Sequence, residues 1–169
     1  KIYDQVINDM IDEDILNNED IEYIENAFVQ KVAETLDMEV ITFNGKRWAT
    51  IHRRYKSFKL PQIEGPESFL YLMKNASLVI TSSFHGTVFS TIYHKNFWVI
   101  KNEGMINGDD RASYLLEQLG LTHRFVTSFE EMTNDKLQET IDYSLVDQNI
   151  KRLREEAFQY LDKAVIIDE

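Results

Sequence analysis

The chain has no cysteine among its 169 residues, so disulfides, thiolate metal sites and a cysteine nucleophile are all excluded. Proline occurs twice, at Pro61 and Pro66, and the six glycines stand apart at 45, 65, 86, 104, 108 and 120. No Gly-x-Gly-x-x-Gly run exists, which disfavours a dinucleotide cofactor and a Gly-rich diphosphate loop. The longest apolar stretches are strand-sized and broken by polar residues, so no transmembrane segment is expected. Lys1-Ile2-Tyr3-Asp4-Gln5 lacks the basic and apolar regions of a signal peptide. The expected location is therefore the cytoplasm. With Lys rather than Met at position 1, the chain reads as a piece of a longer protein.

Positive charge is also in the minority. A net charge of −11 argues against a nucleic-acid partner, because affinity for polyphosphate comes mostly from Lys and Arg. The distribution is uneven. Residues 1–40 hold twelve acids against Lys1 and Lys31, whereas 41–63 hold no acid and gather Lys46, Arg47, Arg53, Arg54, Lys56 and Lys59. Such a run is either a solvated loop or a local field able to attract a small anion. The four histidines (52, 85, 94, 123) are dispersed and lack ligand spacing, so no metal is expected. A recognisable serine nucleophile elbow is missing too.

What is present is a globular composition, 43% hydrophobic and 12% aromatic, at a length suited to one domain over 1–169. Residues 1–18 read as a loosely ordered or linking segment. Ile21, Ile24, Ala27, Phe28, Val32 and Leu36 recur every three or four positions, which predicts a helix over 19–36. Glu39–Phe43 reads as a strand stopped by the Asn44-Gly45 turn. Pro66 and Glu67 suit the first turn of a helix whose buried side is Phe69, Leu70, Leu72, Met73 and Ala76.

Ser77–Thr81 is the clearest buried strand, followed by a loop from Ser82 to Gly86 and a helix from Thr87 to about Tyr93. Phe97–Ile100 is another strand, and Asn102–Asp110 a polar loop. Arg111–Leu119 is a helix ended by Gly120. His123–Val126 is a weak strand. A last amphipathic helix covers 144–164, with Ile150, Leu153, Ala157, Leu161 and Ala164 on one face. Strands alternating with helices imply an α/β, Rossmann-like parallel sheet flanked by helices.

In open parallel sheets, ligands bind beyond the carboxyl ends of the strands, and Ser82–Thr87 follows the most buried strand. A helix starting here offers free N–H groups and its positive dipole end. Ser82, Ser83 and Thr87 add hydroxyls, Gly86 permits close approach to the backbone, and His85 is of the side-chain type that exchanges protons near neutral pH. The turn is suited to hold a phosphate or carboxylate while His85 moves a proton. The alternative is purely local: Ser83 or Thr87 caps the helix and His85 packs against Trp98 or Tyr93.

The run Ala76-Ser-Leu-Val-Ile-Thr-Ser-Ser-Phe-His-Gly-Thr-Val-Phe-Ser90 resembles the signature of the polysaccharide pyruvyl transferase family. The similarity extends over about 65–125, through Phe97–Ile100 and Arg111-Ala-Ser-Tyr-Leu-Leu, with a looser match upstream from Val40. The resemblance implies one half of a GT-B-like two-domain enzyme that moves a pyruvyl group from phosphoenolpyruvate to a sugar hydroxyl, leaving a pyruvate ketal and free phosphate. It implies a glycan or lipid-linked sugar acceptor and no cofactor beyond the phosphoenolpyruvate donor. It also implies an N-terminal domain missing from this chain, without which the chain is expected to be inactive.

On this resemblance His85 is the catalytic acid/base, and Ser82, Ser83, Gly86 and Thr87 hold the donor. Arg111 follows the loop Gly108-Asp109-Asp110, and either clamps the donor's carboxylate or phosphate or pairs with Asp109 or Asp110. Some relatives carry an arginine two residues before the histidine, where this chain has Ser83. The basic run 47–59 is one candidate to replace that charge. The rival readings are a GT-B glycosyltransferase or nucleotide-sugar epimerase domain, and a non-catalytic domain that retains only the fold.

Overall fold

The computed structural model describes residues 28–43, 55–61, 65–100, 111–126 and 132–165. Helical residues 28–36 form α1, followed by α2 (Pro66–Asn75), β1 (Leu78–Thr81), α3 (Phe84–Ile92), β2 (Asn96–Ile100), α4 (Arg111–Leu119), a 3-10 turn (Thr122–Arg124), β3 (Phe125–Val126), α5 (Asn134–Gln138) and α6 (Tyr143–Val165). Among the described residues the strands make one parallel sheet in the order β1-β2-β3, with Val79 beside Phe97 and Val99 beside Phe125. Parallel strands cannot be joined by a hairpin, so α3 and α4 are the crossovers that each pair requires.

Side chains alternate across a strand, and here both faces are apolar. Leu78, Ile80, Trp98, Ile100 and Val126 point to one side, where they pack with Phe28, Val29, Val32 and Ala33 of α1 and with Tyr55 and Phe58. Val79, Phe97 and Val99 point to the other, against Met73 of α2, Ala112, Leu116 and Leu119 of α4 and Val146 of α6. This three-layer burial is why β1 and β2 read as continuous apolar runs rather than alternating ones. Each fully buried side chain of this size contributes about 1.5–3 kcal/mol of transfer free energy. The apolar layers on both faces therefore set the position of everything at the strand ends.

Two helix ends are closed by the same device. After α4, Leu121 N–H donates to Leu116 O at 2.7 Å and Gly120, at φ +75°, donates to Glu117 O. After α3, Lys95 N–H donates to Ser90 O at 2.9 Å and His94 occupies the left-handed position at φ 51°. Both are Schellman caps. A non-glycine residue there costs roughly 1–2 kcal/mol. His94 offsets it by stacking on Tyr143 (centroids 4.4 Å apart) and bonding Asp147 Oδ1 through Nε2 at 3.0 Å.

The first half of α6 completes both ends. Tyr143 Oη donates to Lys95 O at 2.6 Å, and burial pushes its phenol pKa up, so the donor proton stays in place. Asn149 Nδ2 donates to Leu119 O at 3.1 Å.

Several expectations need correction. The strand read at Glu39–Phe43 is reduced to one parallel bridge, Ile41 to Lys59, closed by Thr42 N–H to Lys59 O and Lys59 N–H to Val40 O. His123–Val126 is a 3-10 turn running into a two-residue strand. The apolar face of the last helix is buried only at its start. Ile150 and Leu153 pack on the core, whereas Ala157, Leu161 and Ala164 are exposed. The expected helix over 19–36 is described from residue 28 onward, and the 1–18 segment and the 102–110 loop lie outside the described residues. No helix among the described residues is long and apolar enough to cross a membrane.

Candidate functional site

The segment after β1 is not a loop followed by a helix at Thr87. Helix α3 starts at Phe84, with Ser83 as its N-cap in extended geometry (φ −89°, ψ 133°). Ser83 Oγ accepts from Gly86 N–H at 3.5 Å, and Ser83 O accepts from both Thr87 N–H at 3.0 Å and Thr87 Oγ1 at 3.1 Å. Ser83 N–H in turn donates to Thr81 Oγ1 at 3.0 Å. Strand end, cap and first helical turn are thus tied by local bonds that need only Thr, Ser and Thr at these spacings.

Gly86 is explained by packing. It is buried, and a Cβ built on it would overlap the Thr81 hydroxyl outright and lie 2.9 Å from Thr81 Cβ and 3.0 Å from Cγ2. The missing side chain therefore lets α3 lie directly on the end of β1. Thr87 is 0% exposed, so its hydroxyl is committed to the turn and not to a ligand surface. Any contribution of Gly86 or Thr87 to ligand binding runs through the shape they give the turn.

The groups that face outward are Ser82, Ser83 and His85. His85 does not pack on Trp98 or Tyr93. Its ring and that of Phe84 form a T-shaped pair, with centroids 5.8 Å apart and planes at 71°. Trp98 lies in the core beneath the guanidinium of Arg124, 4.5 Å from its ring centroid.

Arg111 is the first residue of α4, the crossover that leaves the carboxyl end of β2. Because β1 and β2 are parallel and adjacent, α3 and α4 start at the same end of the sheet. Arg111 Cζ lies 4.9 Å from the centroid of Phe84. His85 and Arg111, both nominated from sequence and carried by different helices, thus each contact the ring of Phe84.

Phe84 itself is the residue that sequence reasoning missed. The available signal was its place between Ser83 and His85 at a helix start. Of the basic run, Lys46, Arg47, Arg53 and Arg54 lie outside the described residues. Lys59 forms an ion pair with Glu39, and Lys56 is exposed. Among the described residues, no group of three or more His, Asp or Glu could hold a metal ion.

A helix-covered parallel sheet with a Ser-Phe-His-Gly-Thr turn at its carboxyl end is an α/β arrangement, a class in which ligands commonly bind beyond the strand ends. The polysaccharide pyruvyl transferase family model matches residues 1–104, and the chain belongs to that family. The match includes the whole of the turn and reaches further upstream than the signature around it. It stops before Arg111. No curated protein and no solved structure matches the chain.

Proposed function

We propose that this chain supplies one face of a site that transfers a pyruvyl group from phosphoenolpyruvate to a sugar of a polysaccharide or its precursor. The observation that carries the reading is that His85 and Arg111 both contact Phe84, at the sheet end where the family's turn lies. A proton donor and a planar cation are what an anionic enol donor requires. Arg111 grips the carboxylate or phosphate, since a guanidinium fork matches both. Ser82 and Ser83 are exposed beside His85, and in this reading they and the backbone at Gly86 hold donor oxygens.

In this reading His85 adds a proton to the methylene carbon of the donor, which becomes a methyl group. The adjacent carbon takes the resulting positive character and bonds to a sugar hydroxyl oxygen. The carbon–oxygen bond to phosphorus then breaks, phosphate leaves with the electron pair, and a second sugar hydroxyl closes the ketal. Of the two hydroxyl protons, one restores His85 and the other departs with phosphate. The sugar is a glycan or lipid-linked acceptor held against a second domain, and the reaction is assigned to the cytoplasm, where phosphoenolpyruvate is made. A GT-B-like pairing of two such domains is the arrangement that closes a cleft over the turn.

The test is phosphate release from phosphoenolpyruvate by the full-length protein with candidate glycans. His85→Gln is expected to lower kcat by about 10²–10⁴-fold, the usual range for a general acid. An unchanged rate in that variant removes His85 from the mechanism. Thermal stabilisation by a nucleotide sugar, with none by phosphoenolpyruvate, would transfer the assignment to glycosyl chemistry.

A further inference from the structure

His85 is exposed, and among the described residues no hydrogen bond holds its ring. The ring pairs with that of the adjacent Phe84, so both depend on the same short stretch of backbone. One atom restrains that stretch from both sides. Thr81 Oγ1, at the end of β1, accepts from Ser83 N–H at 3.0 Å and fills the place that a Cβ on Gly86 would need. Ser83 lies two residues before His85 and Gly86 follows it. The first contact is an attraction, the turn a threonine hydroxyl makes to the amide two residues on. The second is a steric stop.

We infer that Thr81 is a positioning residue for His85: its oxygen holds Ser83, abuts Gly86, and so fixes where the first turn of α3 presents the ring. The inference rests on the role given to His85 above and needs neither Arg111 nor an identified acceptor. An oxygen suits both tasks, being an acceptor and smaller than a methyl group. A methyl in its place leaves Ser83 N–H without that partner and crowds Gly86, which already packs on Thr81 with no room for a side chain. A shift of about 1 Å in a reacting group is enough to lower a rate by about 10²-fold.

The test compares Thr81→Val, which keeps the branched shape but loses the acceptor, with Thr81→Ser, which keeps the acceptor but loses the methyl. In full-length protein carrying ¹³C-labelled histidine, the His85 ring signal is assigned by its loss in His85→Gln. That signal should move in Thr81→Val and stay near its wild-type place in Thr81→Ser. In the phosphate-release assay Thr81→Val should lower kcat by about 10–10²-fold with KM for phosphoenolpyruvate little changed, and Thr81→Ser should keep most of the rate. Valine is favoured in strands and should melt no lower than serine, so the order of rates should run against the order of melting temperatures. A merely structural role would make the two orders agree.

If valine at 81 does not fold, Thr81→Ala removes the same acceptor without adding bulk and should move the His85 signal as well. Overturning results are an unmoved His85 signal in the variants lacking the oxygen, a serine variant as displaced as valine, or a moved signal with kcat unchanged. A wild type that releases no phosphate with any glycan would sink the pyruvyl reading, and the His85 signal would still decide whether Thr81 places the ring.

Discussion

Replacing Gly86 by Ala tests whether the glycine of the turn serves packing or ligand approach. The added Cβ overlaps the Thr81 hydroxyl and sits 2.9 Å from Thr81 Cβ, several tenths of an ångström inside ordinary contact. Rotating Thr81 moves the hydroxyl away but not Cβ. It also breaks the 3.0 Å bond from Ser83 N–H that holds the cap, worth about 1 kcal/mol. Overpacking of this kind costs roughly 1–3 kcal/mol. Alanine recovers up to about 1 kcal/mol of helix propensity.

The balance is a loss of about 1–3 kcal/mol, or roughly 2–12 °C in Tm for a domain of this size. Urea and thermal unfolding followed by circular dichroism would measure it. Thr81→Ala removes Oγ1 and Cγ2, the two outer contacts. It should cost about 1 kcal/mol in wild type and nothing, or a gain, when combined with Gly86→Ala. A Gly86→Ala protein as stable as wild type, or strict additivity with Thr81→Ala, would refute the packing account.

Two further predictions concern parts of the fold away from the turn. Arg124 is 1% exposed and bonds two neutral oxygens, Asn96 Oδ1 at 3.0 Å and Glu139 O at 3.1 Å; its Arg124→Ala variant should lose about 3 kcal/mol in urea unfolding, and a loss below 1 kcal/mol would show that the buried cation is a net cost. Asp142 caps α6 through the hydroxyl and then the backbone N–H of Ser144, bonds that hold its carboxyl pKa below the usual 3.8. A depressed folded pKa means stability present above the unfolded value and lost as pH falls through the folded one. Asp142→Asn should keep the acceptor and flatten that part of the acid limb relative to wild type, while Asp142→Ala should be weaker throughout the range above it; identical acid limbs in all three proteins would disprove the cap's role.

The limits of sequence reading follow from the range of the interactions involved. Arg111–Leu119 with Gly120 was legible to the residue, because a periodic stripe followed by a left-handed glycine is a purely local signal. The start of α3 was misplaced by three residues for a related reason. Gly86 carries the local preference of a turn former, and only the contact with Thr81 shows why a glycine belongs inside that helix. Likewise the period-matched positions of α6 from Ala157 onward are apolar without being covered, since periodicity reports a face and not what lies against it. His94 gave no hint of its cap, because its positive φ is compensated by Tyr143 and Asp147, both about fifty residues away.

The same distinction decides what each residue of the Ser-Phe-His-Gly-Thr turn is able to do. Ser83 Oγ and Thr87 Oγ1 are bonded within the cap, and the space a side chain at Gly86 would need is filled by Thr81. Three of the five residues are therefore accounted for by the joint between β1 and α3. A motif can owe most of its composition to building a rigid platform and still mark a site, because a platform fixed to this degree holds its remaining side chains without further adjustment. The other two are His85, which is exposed, and Phe84 at its flank, whose ring is also reached by Arg111 of α4. Under the proposed reading, the turn would contribute the proton and the footing, and the neighbouring crossover the cation. On that reading the site depends on the relative placement of two helix starts, and the packing of Val79, Phe97, Val99 and Ala112 in one apolar layer supports that placement.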